Sequence, residues 1–393
     1  MVRKNTLWDM IPKDWDVVVL GKYSEISRGG SPRPIQDYLT SSCRGINWIK
    51  IGDVSKSSKY IFSAAEKIIP EGVSKSRTVF CGDLILSNSM SFGRPYILKI
   101  DGCIHDGWLV IQNYQSAFDK EYLYYCLGSE FTIQQYISMA AGSSVQNLNK
   151  DKVSAVIIAK PPIQEQVAIA EALSDVDSLI SSLQKLIEKK KAIKRGAMRE
   201  LLTGKKRLPG FSGEWSNLRI EEIANLHDNL RVPVEKSMRE KGNIPYYGAN
   251  GIQDYVNGYT HNGSYVLIAE DGANDLQEYP IRYASGKMWV NNHVHVLDGK
   301  NSVSDTRFLS YSMSTIDYQA AITGGTRAKL NGHILMQLAL DLPPLAEQQA
   351  IAQVLSDMDS EIEQLKKKLS KYQQIKQGMM QELFTGRIRI TNY

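Results

Sequence analysis

A stretch of 48 residues occurs twice in this chain of 393. Residues 161–208 read PPIQEQVAIAEALSDVDSLISSLQKLIEKKKAIKRGAMRELLTGKKRL, and residues 343–390 read PPLAEQQAIAQVLSDMDSEIEQLKKKLSKYQQIKQGMMQELFTGRIRI. The offset is 182 residues, and 25 of the 48 positions are identical without a gap. A repeat this clear sets the architecture before any propensity does. Each copy opens on Pro-Pro, which leads into a helix but cannot continue one. Each closes near a glycine, Gly204 or Gly386, suited to a left-handed C-terminal cap. Roughly 40 residues lie between, a helix of ~60 Å at ~1.5 Å per residue.

A helix that long needs a partner. In the second copy Ile351, Met358, Leu365, Tyr372 and Met379 fall seven apart, with Leu355, Ile362, Leu369 and Leu383 as a second series. The first copy matches with Ile169, Leu173, Val176, Ile180, Leu183 and Ile187. Alternating steps of four and three make a coiled-coil seam. Lys194 and Lys376 occupy equivalent seam positions. Either the helices splay there and the ammonium groups reach water, or the lysines meet a phosphate or a partner's carboxylate.

Between the helices lie two globular segments, residues 1–160 and 209–342, both rich in short β-prone runs broken by Gly, Pro, Ser and Asp. In the first, the runs are 17–20, 47–51, 84–86, 96–100, 108–112 and 153–158, with one amphipathic helix over about 120–140. Trp15 and Trp215 open the two segments equivalently, and AAGSSVQNLNKDKV (140–153) matches ITGGTRAKLNGHIL (322–335). The middles do not align. The fold class is therefore α+β: two mixed α/β domains, 1–160 and 209–342, separated by two long antiparallel coiled-coil helices, 161–208 and 343–393, in a pseudo-two-fold repeat. Two near-copies of a helix preserve one structural task, while two divergent units imply two different targets. Paired antiparallel, the helices would hold those units at opposite ends of a rod.

Charge narrows the function. Residues 1–160 carry 19 basic and 15 acidic side chains and residues 161–208 carry 10 and 6, but residues 209–342 carry 11 and 15. A nonspecific polyanion binder would not contain an acidic domain, so any nucleic-acid contact is local. The densest basic run, Lys185 to Arg195, also suits a plain solvated helix face. Four cysteines without a CxxC pair suit reduced, buried thiols. No apolar run reaches the ~20 residues of a membrane span, and the opening residues lack the apolar centre of a signal peptide, so a cytoplasmic protein is expected.

Catalytic motifs are absent. There is no GxxxxGK loop, no GxGxxG after a strand and no PD…ExK nuclease pattern. Both Pro-Pro pairs lack the Asn/Asp and aromatic of an amino-methyltransferase motif. His293 and His295 would share one strand face, yet no Cys or third ligand stands nearby to make a metal site. Asp175 and Asp177, like Asp357 and Asp359, point apart on a helix and read as exposed carboxylates.

The organisation P-P-[IL]-x-E-Q … L-S-D-x-D … E-L-[LF]-T-G, with G-[ST]-x-x-x-L-N before each helix, resembles the specificity subunits of type I restriction–modification enzymes over the whole chain. The resemblance implies a non-catalytic subunit. Its two target recognition domains would each bind one half of a bipartite, asymmetric site on double-stranded DNA. Its helices would act as a ruler for the gap and dock two methyltransferase (modification) subunits. S-adenosylmethionine, ATP and Mg2+ would belong to those partners and to added restriction/translocase subunits, with no cofactor in this chain. The rival reading is a coiled-coil scaffold whose globular domains bind proteins.

Base edges and phosphates are met by Arg, Lys, Asn, Gln and Ser. In the first domain the DNA-binding candidates are Arg28, Gly30, Ser31 and Arg33, then Asn88 and Arg94, then Ser143, Ser144, Gln146 and Asn147. In the second they are Asn250, Asn292, Thr326, Arg327 and Lys329. Glu165, Gln166, Glu347 and Gln348 either complement the helix dipole or meet a partner subunit. Gly196 and Gly378, at ~1 kcal/mol against Ala inside a helix, suggest a close helix or partner approach.

Overall fold

The computed structural model describes residues 11–55, 58–88, 93–140, 148–276, 278–319, 321–322 and 329–390. It divides into two compact units, residues 1–183 with 368–393 and residues 184–367. The division falls inside the repeated helices, so each unit takes one globular segment and a portion of each helix. The helices are Ile163–Leu201 and Leu345–Leu383, 39 residues each. Gly204 and Gly386 follow them at φ +67° and +65°, a conformation in which a side chain is strained. No helix among the described residues is long and apolar enough to cross a membrane.

Each unit is entered and left through one short antiparallel pair. Asp16–Val19 pairs with Ile157–Lys160 in the first unit, and Ser216–Arg219 with Ala339–Leu342 in the second. Behind each pair lies the same three-stranded core. In the first unit Trp108–Gln112 lies between Glu25–Arg28 and Leu84–Ser87. In the second Val294–Gly299 lies between Ala224–Leu226 and His261–Ala269. Registers make the positions equivalent: Ile26 faces Ile111 as Leu226 faces Leu297, and Ser87 faces Trp108 as Ala269 faces Val294. Beyond this core the units part. The first extends its sheet through Pro95–Leu98 to Tyr60–Ile61 and adds a second five-stranded sheet, whereas the second builds one six-stranded sheet. That difference is why the middles of the two sequences do not align.

The expected helix over 120–140 is two helices, Lys120–Leu127 and Glu130–Ala140. Gly128 ends the first, and the Ser129 hydroxyl accepts the backbone N–H of Thr132 to start the second. Val153 lies in the helix Lys150–Ser154 rather than in a strand, because Asn149 caps the Lys152 N–H. Of the cysteines, Cys103 and Cys126 are buried and Cys43 and Cys81 are exposed.

Inside each unit the helix segments run side by side. In the second unit Lys190 pairs with Glu361 at 2.6 Å and Lys194 with Asp359 at 2.5 Å, numbers rising on one segment as they fall on the other. Asp359 also accepts from the Tyr311 hydroxyl at 2.7 Å. The first unit repeats the knot: Lys376 pairs with Asp177 at 2.6 Å, and Asp177 accepts from Tyr125 at 2.8 Å. So the seam lysines close on carboxylates of the neighbouring helix segment rather than on a phosphate, and Asp177 and Asp359 are ion-paired while still partly exposed. A Cβ at Gly196 or Gly378 would meet nothing within 4 Å, so neither glycine serves a close approach within its unit.

The Glu-Gln pairs are internal. Glu165, Gln166, Glu347 and Gln348 are at most 5% exposed. Gln348 donates to Val303 O and Pro343 O and accepts from Asp305 N–H. Gln166 does the same with Ala117 O, Pro161 O and Asp119 N–H. Glu165 receives Arg389 at 2.5 and 2.7 Å and the Trp15 indole at 3.0 Å, and Glu347 receives Arg207. The surface contact expected for these four side chains gives way to bonds inside the chain, because burial leaves their polar atoms no other partner. Replacing Gln348 by Leu should destabilise the second unit by about 2–4 kcal/mol, since three backbone groups lose their partner where water is shut out. Gln166→Leu should do the same to the first unit. Urea unfolding followed by tryptophan fluorescence measures both, and losses near zero would show that the amides are incidental.

Candidate nucleic-acid interface

In the first unit the expected loop gathers on one carboxylate. Ser31 donates to Asp106 Oδ1 at 2.9 Å, and the exposed Arg33 lies 3.7 Å from Asp106 Oδ2. Arg28 Nε donates to the Asp106 carbonyl at 2.9 Å. A Cβ on Gly29 would stand 2.1 Å from His105 O, so only glycine lets the loop lie this close. The Gly30 carbonyl accepts from Ser76 Oγ at 2.8 Å. His105 sits at the centre. Burial lowers its pKa, Asp106 works in the opposite direction, and Arg33, Lys50 and Arg28 lower it further, for a net fall. The hydrogen bonds agree with a neutral ring. Nδ1 accepts the Gly107 N–H at 2.9 Å, which leaves Nε2–H to donate to Asp106 at 2.9 Å. The positive charge of this surface therefore rests on Arg28, Arg33 and Lys50.

Asn88 is 1% exposed, which removes it from any base edge. It is a brace instead: Nδ2 donates to Asp106 O at 2.8 Å, and its backbone accepts from Leu148 N–H at 3.0 Å. Arg94 lies over the Tyr96 ring at 5.8 Å. Ser143, Ser144, Gln146 and Asn147, with Thr326 and Arg327 of the second unit, lie outside the described residues.

In the second unit two of the candidates, Asn250 and Lys329, converge on a loop that sequence reasoning passed over, residues 270–274. Asn250 donates to Gly272 O at 2.9 Å and accepts from Asn274 N–H at 3.0 Å, so its amide is taken up by that loop rather than offered outward. His293 Nδ1 lies 2.5 Å from Asp271 Oδ1. Lys329 pairs with Glu270 at 2.9 Å. Asn292 is exposed and has no side-chain hydrogen bond among the described residues. The turn dipeptides Asp106-Gly107 and Asp271-Gly272 were the signal that could have drawn attention to both loops.

Beneath lies a charged cluster. Asp228, Glu270 and His295 bring ligand atoms within 4.8 Å of one another, but cations already hold the carboxylates. Arg231 donates to Glu270 at 2.6 Å and reaches Asp228 at 3.2 Å, Lys329 takes the other Glu270 oxygen, and His295 Nδ1 lies 2.6 Å from Asp228. This arrangement suits a structural network better than a metal ion. It ties Arg231 to the carbonyls of Asn292 and Val294 as well.

The comparisons with known proteins agree. The chain matches the type I restriction modification DNA specificity domain twice, over residues 12–195 and 212–376. It is 48% identical over 150 residues, 38% of either chain, to a protein of Haemophilus influenzae named a putative type I restriction enzyme specificity subunit. It is 23% identical over 430 aligned positions, 97% of this chain and 95% of the other, to the MjaVIII specificity subunit of Methanocaldococcus jannaschii. In fold it is similar to the crystal structure of an S subunit from M. genitalium, with a TM-score of 0.65, 16% identity and 98% of each chain covered.

Glu270 makes the cluster sensitive to acid. Burial alone raises its pKa, but hydrogen bonds from Arg231 and Lys329 bring it below 4.5. A carboxylate held below its unfolded value adds stability above that value and loses it as pH falls through the folded one. Glu270→Gln should therefore be less stable than the natural chain at neutral pH. The difference should close as pH falls below 4.5. Melting curves across that range decide it, and a constant difference would mean that the carboxylate's charge contributes nothing.

Proposed function

The chain belongs to the type I restriction–modification DNA specificity family, and from that premise we propose that each compact unit reads one half of a bipartite, asymmetric DNA site. The subunit recognises DNA sequence and does no chemistry; catalysis resides in the other subunits of the system. In our reading two modification subunits dock on it and methylate adenine with S-adenosylmethionine. Restriction subunits, where present, add ATP- and Mg2+-dependent translocation and cleavage. The complex would act in the cytoplasm.

One observation carries the reading. Two units share the entry strands, the three-stranded core and the Glu-Gln anchoring, yet their described loops differ: Arg28, Ser31 and Arg33 gather on Asp106 in one, and Asn250 and His293 on the 270–274 loop in the other. A palindrome reader would need two identical surfaces. Two different surfaces on one frame suit two different half-sites, and Arg28 with Arg33 supplies the phosphate and guanine chemistry for one of them.

Mapping adenine methylation across the host genome, with and without this gene, tests it. Deletion should erase one bipartite, non-palindromic motif; a methylome that keeps every motif would count against the reading. Inserting four residues after Thr203 should lengthen the gap between the halves while both stay readable. Methylation that persisted at the original gap would refute a ruler role for the helix.

A further inference from the structure

The two units share a turn that no alignment of their sequences reveals. In the first, His105-Asp106-Gly107 leads into the strand Trp108–Gln112; in the second, Asn291-Asn292-His293 leads into Val294–Gly299. Strand register makes the turns equivalent, since Trp108 faces Ser87 as Val294 faces Ala269.

Each turn is held at the same three points. The side chain of the first residue accepts the backbone N–H of the third: Gly107 donates to His105 Nδ1 and His293 to Asn291 Oδ1, both at 2.9 Å. The carbonyl of the third accepts from the residue after the neighbouring strand, Asn88 or Glu270, both at 2.9 Å. The carbonyl of the middle residue accepts from an arginine, Arg28 Nε at 2.9 Å or Arg231 Nη1 at 3.3 Å. The chemistry of each brace differs while its geometry repeats. A histidine nitrogen stands where an amide oxygen stands, and the two arginines come from different places in their loops.

What differs is the side chain presented by the middle residue. The Asp106 carboxylate is occupied by Ser31, His105 and Arg33. The Asn292 amide is exposed and unbonded among the described residues, on backbone that the arginine and the neighbouring strand already hold. With the backbone of the turn fixed, little main-chain freedom remains to be lost on binding. Its oxygen and NH2 match the N6–H donor and N7 acceptor of adenine in the major groove, the bidentate pairing that asparagine makes best. Asn250 and Lys329, the other polar candidates described here, are held by the 270–274 loop and by Glu270.

We propose that Asn292 reads an adenine in the half-site bound by the second unit. The proposal rests on the half-site reading above and adds which residue reads which base. The test uses the full chain expressed with its modification partners, with methylated motifs read by sequencing. Asn292→Ala should relax one adenine position, cutting discrimination there on the order of ten- to a hundredfold, while every other position and the other half-site stay as they were. Asn292→Asp, which keeps shape and only accepts, should move the preference at that position toward cytosine. Equal weakening at all positions would overturn the proposal, as a backbone contact gives that result. A motif unmoved by both substitutions would overturn it too, and leaves the half-site reading standing. A natural chain without any bipartite motif would overturn both.

Discussion

A buried carboxamide at the start of each long helix does what no apolar residue there could do. Gln166 and Gln348 each donate twice and accept once, all to backbone atoms of the loop before the domain's helix and of the Pro-Pro entry. The geometry requires a side chain with both polarities in one plane, which glutamine has and glutamate lacks. Beside it Glu165 and Glu347 close on arginines from the end of the other helix copy, Arg389 and Arg207. Each unit is thus sealed at one place, where entry strand, helix start and helix end meet. Because each glutamate is buried and its arginine only partly exposed, removing the arginine leaves a charge that water reaches poorly.

That wiring explains why the repeat was legible and why its meaning was partly misread. The helices, their Pro-Pro entry and their glycine exit follow from local rules. The antiparallel contact inside each unit is written in the heptads. A motif repeated as PPxxEQ looks like a docking surface when seen only in one dimension, since charged residues on a first helical turn are usually exposed. Their burial depends on Trp15, Asp305 and Arg389, residues distant in sequence. The same holds for the seam lysines. Lys194 and Lys376 sit 182 residues apart, as do Asp177 and Asp359, but Tyr125 and Tyr311 sit 186 apart. Only the fold shows that the three belong to one knot.

The recognition surfaces were less legible for a related reason. Loop composition pointed to Ser27–Arg33 and to Asn291–His293, and both lie where the three-stranded core delivers them. It could not separate the side chain that faces outward from the one that holds the loop. Asn88 and Asn250 have the composition of base readers and the bonding of braces, whereas Asp106 and the 270–274 loop, being acidic, did not look like DNA-binding elements. Hydrogen-bond satisfaction, rather than residue type, distinguishes the two roles.

The acidic second segment was the best support for a protein-binding scaffold. The excess of 15 acidic over 11 basic side chains belongs to residues 209–342, a span of sequence rather than a folded body. The compact unit that contains it runs from 184 to 367 and carries 23 basic and 22 acidic side chains. The extra cations come mainly from the helix portion, with Lys190, Lys194 and Arg207 paired to acids of the other helix. Within the domain, Glu270 and Asp228 are held by Arg231 and Lys329, and Asp254 lies near Arg239. A phosphate approaching this unit meets a nearly neutral body whose acids are largely tied down, so long-range repulsion is weak at physiological salt. On the proposed reading, discrimination then falls to short-range hydrogen bonds at base edges. The two units differ accordingly: the first offers exposed arginines, and the second an exposed amide on a turn held by a partly buried arginine.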